Sequence, residues 1–125
     1  MRLLLDTHIF LWSVQDSPRL TKRARKIMEE AEAVYVSAAS IWEITIKAKL
    51  GKLKVFPPTL AGTIYESGFQ ELPITAQHVA QIWLLPDLHK DPFDRLLIAQ
   101  AKAEPLHLLT VDTKLPPYSE LVVLV

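Results

Sequence analysis

Cysteine is missing from this chain altogether. That one absence removes disulfides, thiolate catalysis and cysteine-ligated zinc, and it fits a reducing compartment. Long apolar runs are missing too: none approaches the ~18 residues that a membrane helix needs. The segment before Asp6 is too short for a signal peptide, so the expectation is a soluble, cytoplasmic protein without membrane contact. Net charge is also absent, because 14 basic residues balance 14 acidic ones. A whole-protein positive field for nucleic acid is thereby excluded, although a local basic rim around an acidic centre is not. The histidines (His8, His78, His89 and His107) are scattered and suggest no His-rich ligand set. Repeats, low-complexity tracts and linkers are lacking as well. What remains is 125 residues, half of them hydrophobic and 22% charged, which suits one domain over residues 1–125 with a real core.

The pattern that is present alternates strands with helices. Arg2-Leu-Leu-Leu5 reads as a central strand buried on both faces. Ile9 to Trp12 carries more apolar residues than a loop normally shows, an excess that suits core packing or a partner contact equally. Ser17-Pro18 signals a helix start, and Leu20, Ala24, Ile27, Met28 and Ala31 share one face of the helix that follows. Val34-Tyr-Val36 is a second strand. Ser37 or Ser40 caps the next helix, which runs to about Leu50 and stops at Gly51. Pro57-Pro58 opens a further helix to about Ser67, ended by Gly68. The proline in Glu71-Leu-Pro-Ile74 makes it an edge strand or none. Thr75 caps a helix containing Val79, Ile82 and Trp83, which Pro86 ends. Asp91-Pro92 starts a buried helix through Leu96, Leu97, Ile98, Ala99 and Ala101; Leu106 to Val111 and Leu121 to Leu124 are the last strands. Such alternation predicts an α/β fold whose parallel sheet is covered on both faces. Ligands of such sheets bind at the carboxyl ends of the strands, near the switch in strand order.

Four carboxylates stand out against this frame. Asp6 and Asp112 fall at strand carboxyl ends, Asp94 in the first turn of the helix from Pro92, and Glu43 in a helix so apolar that most of its faces must be buried. Each has a plain structural explanation. Asp6 suits a turn or helix cap, Glu43 an ion pair with Lys47 at i+4 or the one open face, Asp94 a capping arrangement with Asp91, and Asp112 a solvated turn. Together they are four acids from four elements at one end of one sheet. Like charges that close destabilise a fold unless cations neutralise them, and oxygen-only ligands suit Mg2+ or Mn2+ over zinc. His8 and His89 lie near this site and are placed to touch substrate, whereas His78 and His107 read as ordinary helix and strand residues.

Leu-Leu-Leu-Asp6-Thr-His, Ser40-Ile-Trp-Glu43-Ile, Asp-Pro-Phe-Asp94-Arg-Leu-Leu-Ile-Ala-Gln-Ala and Leu-Leu-Thr-Val-Asp112 resemble the PIN-domain family. Within it they are most similar to the VapC-like toxin ribonucleases of bacterial and archaeal toxin–antitoxin pairs. The resemblance spans nearly the whole chain. It implies a three-layer α/β/α sandwich with a central parallel sheet and a Mg2+- or Mn2+-dependent endoribonuclease acting on RNA. It further implies a homodimer silenced by a cognate antitoxin, contacts that the Trp83-Leu-Leu85 helix end would suit. Asp6, Glu43 and Asp94 match the three core acids of the family and Asp112 its more variable fourth. Ligation then falls mainly on Asp6 and Asp94. Thr7 and Thr110 match polar positions beside the acids, and Asp91 an acid whose role stays open. Two features depart from the family: Glu104-Pro105 stands where glycine often precedes the last acid's strand, and Pro116-Pro117 follows Asp112.

The expected mechanism is in-line attack of an activated water on an RNA phosphodiester, with flanking cations holding the backbone. Arg95 is the nearest such cation; Lys47, Lys49, Lys52 and Lys54, or the basic face from Lys22 to Lys26, offer a track. A haloacid-dehalogenase-type phosphatase would need a second Asp two residues after Asp6, where His8 stands. A receiver-type signalling domain would need paired acids after the first strand. The non-enzyme alternative is an inactive PIN module that binds RNA or scaffolds a complex; retention of all four acids favours the enzyme.

Overall fold

The computed structural model describes residues 1–125. Its five strands form one parallel sheet in the order β3-β2-β1-β4-β5. In chain order these are β1 Arg2–Leu5, β2 Ala33–Ser37, β3 Gln70–Leu72, β4 His107–Thr110 and β5 Val122–Leu124. Alternation along the strands builds two cores. Leu3, Leu5, Val34, Val36 and Leu109 point to one face, and Leu4 and Leu108 to the other. Both faces are covered, which is why Leu3-Leu4-Leu5 has no polar member.

Six helices supply the outer layers: α1 Thr7–Val14, α2 Lys22–Glu30, α3 Ala38–Lys49, α4 Pro57–Glu66, α5 Ala76–Gln81 and α6 Pro92–Ala103. Ile9, Phe10, Ala24, Leu60 and Ile64, from α1, α2 and α4, pack on the first face, and Leu96 to Ala99 of α6 on the second. The architecture is the expected three-layer α/β/α sandwich. No helix is long and apolar enough to cross a membrane.

Local chemistry sets most boundaries as expected, with three differences. The apolar excess from Ile9 to Trp12 belongs to α1, and Ile9, Phe10 and Leu11 are buried in the core rather than offered to a partner. The helix from Thr75 stops at Gln81 and gives way to a 3-10 turn over Ile82–Leu84, where Trp83 and Leu84 stay exposed while Leu85 is buried. The helix start expected at Ser17-Pro18 falls later, because Thr21 caps α2 by accepting the Ala24 amide at 3.1 Å while Ser17 closes a turn of its own on Arg19. Ser37, not Ser40, caps α3. β3 is an edge strand that stops at Leu72, before Pro73.

A buried polar chain braces this framework. Ser37 Oγ donates to Gln100 Oε1 at 2.6 Å, and the Gln100 amide donates to the Pro73 carbonyl and to His78 Nδ1, both at 3.3 Å. His78 Nδ1 also accepts the Thr75 amide, so its proton sits on Nε2 and is donated to Glu104 at 2.6 Å. The network ties the cap of α3 to α5 and α6 and accounts for the buried His78. At the end of α6, Leu106 donates to the Ala101 carbonyl at 2.9 Å, the longer of the two bonds of a Schellman closure. This is the turn where glycine would be expected.

Candidate active site

The chain builds β1, β2 and β3 outward on one side and β4 and β5 on the other, so strand order switches between β1 and β4. Asp6 stands at the carboxyl end of β1 and Asp112 two residues beyond β4. Asp6 Oδ1 accepts the Thr7 amide at 2.7 Å, capping α1, and its Oδ2 accepts Thr110 Oγ1 at 2.5 Å. Thr110 Oγ1 in turn accepts the Asp112 amide at 3.0 Å, and Thr7 Oγ1 donates to Ser40 Oγ at 3.0 Å. The Thr7 amide and the Thr110 hydroxyl thus each hold one oxygen of Asp6. One hydrogen-bonded chain joins β1, α1, α3 and β4 around Asp6, itself 4% exposed.

Glu43 lies on α3 one turn beyond Ser40 and is buried. Its Oε2 takes Lys47 Nζ at 2.7 Å, the i+4 pair anticipated from sequence, while Oε1 is buried without any partner. An unpaired buried carboxylate oxygen destabilises the fold unless something else neutralises it.

From the other side, α6 brings Asp94. Asp91 is its N-cap, accepting the amides of Phe93 at 2.9 Å and Asp94 at 3.1 Å. Asp94 Oδ2 lies 2.8 Å from His89 Nε2, and the ligand atoms of His89, Asp94 and Asp112 all fall within 4.8 Å of one another. That tight set does not include Asp6 or Glu43, although the charges of both reach Asp94. His89 is the member that sequence reasoning did not count as a donor. It sits in the loop before α6, where no periodicity reports which way a side chain turns. Arg95 is engaged by its own loop. Its guanidinium donates to the carbonyls of Pro86 at 2.9 Å, His89 at 3.2 Å and Ile82 at 3.5 Å, and to Tyr118 Oη at 3.4 Å. Its donors hold the loop that carries His89.

The charges at this end of the sheet are uneven. Burial pushes Asp6 above the ordinary carboxylate range despite the bonds from Thr110 and Thr7. Burial likewise pushes Asp94 up to about 6, against the His89 hydrogen bond, and the charges of Asp6, Asp91 and Glu43 add to the rise. Lys47 is held above its usual value, first by its bond to Glu43 and then by the charges of Glu43, Asp91 and Asp94. One ammonium therefore serves several carboxylates. The residues fit a bound divalent cation: the donors are mostly hard oxygens, two of the acids resist ionising alone, and Glu43 Oε1 has no other partner.

The PIN domain model matches residues 3–121. The chain belongs to the PIN domain family. Ribonuclease VapC22 of Mycobacterium tuberculosis (strain ATCC 25618 / H37Rv) is 28% identical over 124 residues, spanning 90% of this chain and 88% of that protein. Among solved structures, VapBC2 from Rickettsia felis bound to a DNA fragment from their promoter matches this PIN domain with a TM-score of 0.69 and 17% identity, over 99% of this chain and 97% of that one. A toxin–antitoxin complex from Klebsiella pneumoniae matches at 0.67 and 19%, over 97% and 95%. FitAcB from Neisseria gonorrhoeae matches at 0.62 and 23%, over 92% and 91%. These three likenesses are of fold, and they extend over nearly all of the PIN domain.

Proposed function

We propose that this PIN domain is a metal-dependent endoribonuclease, the toxin of a toxin–antitoxin pair held in check by a cognate antitoxin. The observation that carries the reading is the gathering of Asp6, Glu43, Asp94 and Asp112 at the switch point, with one ammonium among them and Glu43 Oε1 buried without a partner. Asp94 and Asp112, with Asp6 and Glu43 beside them, would hold Mg2+ or Mn2+. The chemistry such a cation supplies when bound is Lewis acidity toward the phosphate and a water acidic enough to attack at neutral pH.

The rest falls to the chain's own residues. Thr7 and Thr110 fix both oxygens of Asp6, and Lys47 fixes one oxygen of Glu43, so the acids are oriented before substrate arrives. Trp42 and Phe93, each next in sequence to a site acid, meet edge to face with ring centroids 5.0 Å apart. Trp42 is exposed and offers a base a stacking surface. Lys49, Lys52 and Lys54, at and just beyond the end of α3, offer cations for the phosphate backbone in place of Arg95, which its loop takes up. The partner reading takes support from the Klebsiella pneumoniae complex and from the exposed Val79 and Trp83 beside one surface groove.

Cleavage of a mixed RNA panel by the purified chain, with Mn2+, with Mg2+ and with chelator, tests the proposal. Metal-dependent cleavage is expected, falling by at least about 100-fold in Asp6→Asn as a disturbed metal site does. A folded protein, free of any co-purified partner, that cleaves nothing under these conditions would turn the reading to an RNA-binding or scaffold module.

A further inference from the structure

We infer that His89 is a nitrogen ligand of the cation site and biases it toward later first-row ions such as Ni2+ over Mg2+. The inference rests on the metal-dependent reading above and changes the expected donor set from all-oxygen to mixed nitrogen and oxygen.

Three observations carry it. First, Nε2 of His89 and oxygens of Asp94 and Asp112 lie within 4.8 Å of one another. Ligands about 2.1 Å from a shared ion sit within about 4.2 Å of each other, so side-chain adjustment alone brings this set onto one centre. Second, the His89 backbone is clamped. Its carbonyl accepts both Arg95 Nη1 at 3.2 Å and Tyr118 Oη at 3.3 Å, and Arg95 also holds the carbonyls of Ile82 and Pro86. Arg95 and Tyr118 thus hold this loop in place, and its histidine aims at the acids with 17% of the side chain exposed. Third, Glu43 Oε1 is buried without a partner and its charge reaches Asp94, an independent sign that this end of the sheet is built for a cation. An imidazole nitrogen in such a set favours later first-row ions, whereas Mg2+ takes oxygen and gains little from it.

The competing role is a hydrogen-bond donor that only orients Asp94, and metal competition separates the two. The full chain, stripped with chelator, is loaded with Mn2+, and free Mn2+ is followed by its electron paramagnetic resonance signal. Mg2+ or Ni2+ is then titrated in, for wild type, His89→Ala, His89→Gln and Asp94→Asn. Glutamine offers Asp94 an amide donor but no imidazole lone pair. The expected result is that His89→Ala and His89→Gln both lose about tenfold or more in Ni2+ affinity while Mg2+ affinity changes far less, collapsing the preference. Unchanged preference in His89→Gln, or parallel loss of both ions, would overturn the assignment and leave His89 an orienting donor. Thermal unfolding in chelator checks folding, and His89→Gln carries the test where His89→Ala is unstable. Wild type that binds no ion, or Asp94→Asn that binds like wild type, would instead defeat the metal reading itself and this inference with it.

Discussion

Replacing Asp94 with asparagine should stabilise the metal-free protein while removing its response to metal. The Asp94 carboxyl is pushed up from 3.8 to about 6, chiefly by burial. A raised carboxyl pKa means that the folded chain holds its proton more tightly than the unfolded one. Stability therefore falls as pH rises through the window from about 4 to 6, and the full penalty of about 3 kcal/mol stands above it. An asparagine side chain at this position would keep the size and a partner for His89 without the charge. In chelator at pH 7.5, Asp94→Asn is expected to gain up to about 3 kcal/mol, or roughly 10 °C in Tm for a domain of this size. At pH 4.5 the wild-type penalty shrinks to about 1 kcal/mol, and the gain should shrink with it. Adding Mn2+ should reverse the order, because a ligand of the folded state stabilises only the chain that binds it. Urea unfolding at both pH values, with chelator and with Mn2+, measures all of this. A variant less stable than wild type in chelator at pH 7.5, or a gain that does not shrink in acid, would refute the reasoning.

One further substitution tests a support of the site. Arg95→Lys cannot reproduce the fork that holds three carbonyls and Tyr118, so a loss of about 2–3 kcal/mol in urea unfolding is expected. The salt dependence of RNA binding should stay unchanged, since a slope reduced by about one would mark Arg95 as a phosphate contact after all.

Much of the frame was legible because local and global signals agree there. Leu3–Leu5 has to be buried on both faces, and Asp91-Pro92 followed by an apolar run starts a helix. α1 escaped notice because its cap, Asp6, also looks like the acid that ends a strand, and both are true. The pairing of Glu43 with Lys47 followed from i+4 spacing, but nothing in the sequence shows that the other Glu43 oxygen is left alone. The placements of His89 and Arg95 were not legible in the sequence, for one reason. Their roles depend on how the loop from Ile82 to Lys90 folds back on α6, a long-range arrangement that periodicity does not record.

The site's acids are also the parts that start its helices, and this explains how the fold tolerates them. Asp6 caps α1, Asp91 caps α6, Asp94 sits in the first turn of α6, and α3 starts at Ser37 beside them. Three helix N-termini thus open toward the same end of the sheet, and their partial positive charges offset some of the carboxylate repulsion. The offset is incomplete, since Asp6 and Asp94 still ionise above the ordinary range and Lys47 is shared among several acids. Caps alone would have been satisfied by Ser or Thr, as at Ser37 and Thr21, with no charge to bury. Aspartates at these positions, in place of that neutral choice, hold a residual negative charge of the kind that a bound cation would neutralise.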